Sequence, residues 1–499
     1  MKIKEKINLE NLMCLFVILC PILDIVSFLF RNFFSTNLSP TTFLRPIIPC
    51  IVFIILFFKD KKKGKKIIVG SIYLIYSIIH LIIFQKLHNE SSYGNIASEM
   101  QYLINYGIMI MNLYLFFTVI RNKEKIEKST LISMGIYIFA IFFSIITKTS
   151  SSTYLEGIGY KGYFESGNSL CTVLLLGLCI TFGNLEIKNL KKILLIVFTG
   201  IYLTMLSGMR TGLFGFGIIW GTFVIGKFFI NIRDNAKFSK KQIIVIATII
   251  VISAIAITFL GSETIKRRKM LKQNEVANID TETGDARYVT GDILNIYKQI
   301  QNDNVSENYM SRAEKQAIVR FCEYAKKIKL SNVNLRKQQL IYNVILVLEQ
   351  KNPLLILFGN GYKNQIGELV MEMELPAMLL NFGIIGFILY FGPFAIIIGY
   401  YFLYAIKNRK SIKIDIIMNL LGLLLAIGLS CFSGYVFFNI SSMTMVIILC
   451  TRLQEKSLKI ICKIDQKDKK DLFSFGREEK NKWTRNLWTF WERKSKWKR

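Results

Sequence analysis

Predominantly apolar runs recur along the chain at 11–30, 44–58, 67–84, 100–120, 130–147, 167–183, 193–207, 212–230, 242–261, 375–405, 414–432 and 436–452. Short polar connections separate most of them. A helix rising 1.5 Å per residue needs roughly 20 residues to cross the hydrocarbon core, and most runs approach that length. A soluble core would show shorter runs and more amphipathic alternation. The pattern predicts an all-α, polytopic membrane protein with about 12 transmembrane helices and one large, partly helical extracytoplasmic loop. The second run is short, and the segment around 353–361 is a candidate re-entrant or surface piece.

This spacing divides the chain into four parts. Residues 1–261 form an N-terminal membrane region of about nine spans, and 262–352 a long polar loop. Residues 353–452 form a C-terminal membrane region of about three spans, and 453–499 a basic tail. The loop shows helical periodicity, clearest in "NLRKQQLIYNVILVLEQ" at 334–350. A polar stretch of that length with structure of its own is usually functional. The tail ends "NKWTRNLWTFWERKSKWKR" and holds four of the five Trp. It reads equally as a membrane-interface segment or as a solvated tail.

Charge sets the orientation. Five connections that fall on one side (59–66, 121–128, 184–192, 231–241, 407–413) carry 21 Lys/Arg, against 6 in the short connections opposite. Under the positive-inside rule the first set is cytoplasmic, which places both termini inside and 262–352 outside. The N-terminus has a basic start and a long apolar run without a small-residue cleavage site, so a retained first span is expected. The formal charge of +30 over 499 residues would otherwise suggest nucleic acid. Its distribution in short inter-span clusters argues instead for anionic lipid headgroups, and no nucleic-acid partner is expected. The nine Cys are scattered, mostly within apolar runs, and His80 and His88 are the only histidines. No metal site and no cofactor are expected from that set.

Candidate chemistry begins at "SGMRTGLFGFGIIWG", 207–221, where Arg210 stands between two apolar runs with no carboxylate near it in sequence. A charge at membrane depth usually marks a site, although an Arg at a span end can also snorkel to the headgroups. Arg336 in "RKQQL" is a second extracytoplasmic guanidinium. The stretch "GNGYKNQIGELVMEMELPAMLLNFGIIGF", 359–387, then supplies Gly359 and Gly361 for close backbone approach. It also supplies Glu372 and Glu374, just ahead of a helix expected to start near Pro376. Guanidinium forks bind phosphate oxygens bidentately, and a carboxylate can take a proton from a sugar hydroxyl. A bland alternative for the two Glu is attraction to the helix N-terminal dipole. If 372–374 were already helical, the two would point about 200° apart and only one could face the arginines.

The chain resembles the O-antigen ligase and O-antigen polymerase superfamily of bacterial membrane glycosyltransferases, in a Gram-positive-type form. "SGMRTGL" is similar to that family's Ser-Gly-Ser-Arg-Thr-Ala-Leu element, and "RKQQL" to its Arg-x3-Leu motif in the external loop. "GNGY" followed by "EMELPAMLLNFGIIGF" resembles its Gly-x-Gly and acidic segment before Gly-Ile-Ile-Gly, and "PILDIVSFLF" with the later Arg45 its opening spans. Ligases commonly carry a His eleven residues before the first Gly of the last motif. Here that position is Glu372, a pattern more like the polymerases.

The resemblance implies a metal-independent, inverting enzyme that transfers glycan from a polyprenyl-diphosphate carrier to a sugar hydroxyl on the outer face of the plasma membrane. Arg210 and Arg336 would hold the diphosphate, with Glu372 and Glu374 as the catalytic carboxylates. The implied partners are a polyprenyl-diphosphate-linked oligosaccharide, membrane lipids and other polysaccharide-assembly membrane proteins. Polymerisation of repeat units into a capsular or other surface polysaccharide is the first expectation. Ligation of glycan to a lipid or wall acceptor is the second. A lipid-linked oligosaccharide flippase, from another class, would show internal repeats, and none is visible.

Overall fold

The computed structural model describes residues 8–35, 41–59, 63–88, 96–154, 157–185, 189–234, 269–270, 292–306, 310–330, 335–362 and 369–452. Apart from one two-stranded hairpin, the regular structure in these residues is helical. The helices are α1 (Leu9–Phe34), α2 (Thr41–Lys59), α3 (Lys63–His88), α4 (Ile96–Val119) and α5 (Lys123–Ile146). The antiparallel strands β1 (Ser151–Ser152) and β2 (Tyr160–Gly162) follow, then α6 (Gly167–Gly183), α7 (Leu190–Ile201) and α8 (Arg210–Arg233). Three helices lie in the long polar region: α9 (Asp292–Gln301), α10 (Arg312–Lys327) and α11 (Leu335–Glu349). The short α12 (Leu354–Phe358) precedes α13 (Glu374–Lys407), α14 (Ile414–Phe432) and α15 (Ile440–Arg452). Seven of the described helices are long and apolar enough to cross a membrane: α1, α4, α5, α8, α13, α14 and, over Lys66–Lys86, α3. The expected run at 242–261 and the tail at 453–499 lie outside the described residues.

Short polar residues set several helix starts. Asn8 accepts from the backbone N–H groups of Glu10 and Asn11, Asn122 from those of Glu124 and Lys125, and Ser166 from that of Ser169. Each satisfies donors that the first turn leaves open. At the centre stand α6 and α15, too short for the long-span class yet enclosed by protein on nearly every side. A helix apolar all round belongs in such a place. α6 packs on α14, α8 and α5, and Tyr401 of α13 donates its hydroxyl to the Cys450 carbonyl of α15 at 2.6 Å.

Polar contacts sort the connections onto two ends. At one end the Glu10 carboxylate accepts from the backbone of Arg121 and Asn122 at 2.8 and 2.6 Å. Glu127 there pairs with Lys192 at 2.6 Å and with Arg452 at 3.6 Å, and Arg233 donates to the Ile412 carbonyl. The described residues of four Lys/Arg-rich connections, 121–128, 184–192, 231–241 and 407–413, meet at this end. At the opposite end 148–154, 157–166, 207–210 and 433–439 come together, with Thr153 donating to the Ser207 carbonyl at 3.0 Å. α9–α11 form a small helical unit with its own core, including Ile318, Phe321, Tyr342 and Leu346. Leu369 packs into the same core and its carbonyl accepts from Asn343, while Gln350 ties the unit to the membrane part through the Asn360 side chain.

α13 starts at Glu374, two residues before Pro376, and is broken at Gly383, whose φ of 68° favours glycine. The carbonyls ahead of the break are satisfied from outside the helix. Asn360 N–H donates to Leu380 at 3.0 Å, Gly361 N–H to Asn381 at 2.9 Å and the Tyr76 hydroxyl to Phe382 at 2.6 Å. The expected surface piece around 353–361 is therefore α12 plus a Gly-Asn-Gly turn seated on the break. Gly359, at φ 86°, approaches so closely that a Cβ there would collide with the Asn381 carbonyl. Gly359→Ala should therefore destabilise by at least about 1–3 kcal/mol from backbone strain alone. Gly70, with nothing near its Cβ position, is the matched control and should tolerate Ala. Melting temperatures and the monodisperse fraction in detergent check both.

Candidate active site at one end of the bundle

Arg336 and Glu372 lie 36 positions apart in sequence, and the structure brings them together: the Arg336 Nε stands 3.5 Å from a Glu372 carboxylate oxygen. Both side chains remain more than a third exposed, so each has capacity left for a ligand. One helix positions the pair. Arg336 is on α11, and Gln339 of the same helix accepts from the Glu372 backbone N–H at 3.1 Å. Glu372 precedes α13 in extended chain rather than helix, and that puts it beside the small helical unit.

Glu374, two residues on, does something else. Its buried carboxylate accepts from the backbone N–H groups of Val436, Phe437 and Phe438 at 2.7, 2.8 and 3.0 Å. These are first-turn-like donors ahead of α15, and a carboxylate that accepts from three of them is fixed in place. The expected pair of catalytic carboxylates thus separates into one half-exposed group and one structural bolt. A helical path was not needed to turn them apart.

Tyr435 connects the pair to a cavity. It holds a left-handed φ of 62°, and burial raises its hydroxyl pKa, with the charges of Glu372 and Glu374 adding and Arg336 opposing. The same residue lines a polar pocket of about 310 Å³ among α1, α2, α4, α5, α6 and the 433–439 turn. Two ion pairs brace that pocket: Arg45 to Asp24 at 2.5 Å and Arg31 to Glu165 at 2.9 Å. Asp24 also accepts from the hydroxyls of Tyr137 at 2.5 Å and Ser441 at 2.7 Å, and Glu165 from Ser27 at 2.7 Å. Asp24 and Arg45 are charges within apolar runs, the same signal that singles out Arg210.

Arg210 opens α8 on the same end of the bundle. A π-helical turn, Tyr202–Leu206, precedes it, and Gly208 at φ 69° packs on Gly159. π turns inside helices are frequent at functional sites. The helix start has no side-chain cap, and Arg210 is exposed, without a hydrogen bond or ion pair among the described residues. No described contact joins it to Arg336 or Glu372. A free guanidinium at a positive helix end is an arrangement that an anion would stabilise.

A second buried cluster fixes the Gly-Asn-Gly turn. The His80 ring lies 2.7 Å from the Phe358 carbonyl through Nδ1 and 2.8 Å from the Glu99 carboxylate through Nε2. The other Glu99 oxygen accepts from Tyr362 N–H at 2.8 Å. Since a carbonyl only accepts, Nδ1 carries a proton, and the two residues clamp both flanks of the turn. Among the described residues no group of three or more His, Cys, Asp or Glu is arranged to hold a metal ion.

The family model for O-antigen ligase like membrane protein matches residues 6–455. No curated protein matches the chain. Replacing Glu374 by Gln would turn an amide N–H₂ toward backbone donors, and should cost about 2–3 kcal/mol of stability. Glu372→Gln should leave the melting temperature unchanged. Thermal unfolding followed by size-exclusion in detergent separates the two.

Proposed function

This chain belongs to the O-antigen ligase like membrane protein family, and we propose on that premise that it polymerises lipid-linked oligosaccharide repeat units into a cell-surface polysaccharide. The observation that carries this reading is the half-exposed Arg336–Glu372 pair beside a polar pocket. In the proposed reaction an acceptor sugar hydroxyl attacks the anomeric carbon of a glycan linked to polyprenyl diphosphate. Its oxygen forms the new bond while the bond from carbon to the diphosphate oxygen breaks, and that electron pair leaves with the diphosphate. Glu372 takes the hydroxyl proton. Attack opposite the leaving group inverts the anomeric centre. Arg336, whose terminal N–H₂ groups have no partner among the described residues, and Arg210 offset the charge that gathers on the diphosphate. Glu374 acts by holding the 433–439 turn that carries Tyr435.

About 12 spans and an outward-facing site complete the proposal. The Lys/Arg-rich end is cytoplasmic under the positive-inside rule, and the Arg210, Arg336 and Glu372 end faces outward. A Cys introduced at the exposed Asn304 should then react with an impermeant thiol reagent on intact cells, in a Cys431→Ser background. The native Cys322 of the same unit stays silent, since burial, with Glu323 adding, pushes its thiol up to about 12. Protection of the new Cys until lysis would reverse the orientation.

Activity separates the roles. With a lipid-linked repeat unit as donor, Glu372→Gln should abolish transfer in a normally folded protein. Arg336→Lys and Arg210→Lys should each lower the rate by about a hundred- to thousandfold, because a point ammonium does not reproduce the bidentate fork. Full activity of Glu372→Gln would remove the base assignment. Deletion of the gene followed by surface-glycan analysis tests the reaction type: single repeats remaining support polymerisation, and carrier-bound long polymer supports ligation.

A further inference from the structure

The pocket beside Tyr435 has a chemistry distinct from that of the two outward arginines. Its charged groups cancel: Arg45 with Asp24 and Arg31 with Glu165 make two positive and two negative charges in close pairs. A diphosphate entering there would meet two carboxylates, Asp24 and Glu165, each held by an arginine and by hydroxyl donors. What the pocket leaves open is neutral hydrogen-bonding capacity. Gln101 and Asn105 stand one turn apart on α4 and line the cavity, and neither side chain has a hydrogen-bond partner among the described residues. The Nε atoms of Arg31 and Arg45 are buried donors, also without an acceptor among the described residues. The aromatic rings of Phe164 and Tyr137, with centroids 5.1 Å apart, add apolar surface to the same wall.

Amide donors and acceptors, fixed guanidinium N–H groups and aromatic faces suit a ligand that is rich in hydroxyls and carries no charge. At about 310 Å³ the cavity lies at the lower end of the size range of small-molecule sites, roughly 300–1,000 Å³, and admits a short piece of glycan rather than a polyprenyl chain. Tyr435 lines the pocket, and the adjacent Gly434 packs directly on the Glu372 backbone, so the pocket and the carboxylate share one turn. We propose that this pocket is the acceptor-sugar site, with Gln101 and Asn105 as its specificity-determining contacts. It accepts a neutral sugar residue of the growing or incoming glycan. The arginine side of the same end is left for the donor's diphosphate. This inference rests on the glycan-transfer reading above.

The test uses full-length protein in detergent with a fixed amount of lipid-linked repeat unit as donor. The carrier-free oligosaccharide of the same repeat, cut from the host's own surface glycan, is titrated as acceptor. Gln101→Ala and Asn105→Ala should each raise the half-saturating acceptor concentration roughly two- to tenfold, the worth of one net hydrogen bond. The double variant should raise it further, with turnover at saturating acceptor and binding of undecaprenyl diphosphate unchanged. An unaltered acceptor requirement in the double variant, with wild-type transfer intact, overturns the acceptor site and leaves the enzymatic reading standing. Loss of undecaprenyl diphosphate binding in the double variant assigns the pocket to the donor and also overturns it. No transfer by the wild-type protein removes the enzymatic reading, and the acceptor site with it.

Discussion

Inside a bilayer no water replaces a lost backbone hydrogen bond, and that constraint governs the region around Gly383. α13 breaks there, and the carbonyls ahead of the break need donors. Gly-Asn-Gly at 359–361 supplies two of them from its backbone, and Tyr76 supplies a third. The turn can come close enough only because Gly359 and Gly383 lack side chains. His80 and Glu99 then hold its flanks at Phe358 and Tyr362. A break in a membrane helix and the turn that fills it are thus one structural unit.

Around that repair the two carboxylates of one short motif divide the work. Glu374 is buried against three backbone N–H groups and secures the turn before α15. Glu372 stays at the surface beside Arg336. The same turn carries Tyr435, which faces both the pair and the braced pocket below it. The environments differ: Asp24 and Glu374 are each held by several donors, whereas Glu372 stays partly exposed beside Arg336.

Much of the fold is legible in the sequence because membrane helices announce themselves locally. Length and hydropathy are properties of a single run, and the grouping of basic connections at one end follows from the alternation of spans. The Arg336–Glu372 meeting is legible only through motif resemblance. Two features escape. The partners of Asp24 lie on α2, α5 and α15, as far as 417 residues away, and no local pattern encodes such a contact. His80 reads in the sequence as one of two scattered histidines without a metal partner, whereas its role is to clamp a backbone turn. Asp24 and Arg45 do carry a signal, a charge inside an apolar run, and the rule that draws attention to Arg210 applies to them as well.

The origin of Arg336 has one more implication. It stands on a helix whose core belongs to the small polar unit, a core that also takes in Leu369, while Glu372 leads into the membrane part; Gln339 and Gln350 are among the amides that link the two. Neutral amide contacts are individually modest, on the order of 1 kcal/mol each. Whatever chemistry Arg336 and Glu372 perform together is therefore a property of the docked state. Arg336 thus reaches Glu372 only as part of that packed arrangement, and the distance between the two charges is set by buried residues that carry no charge themselves.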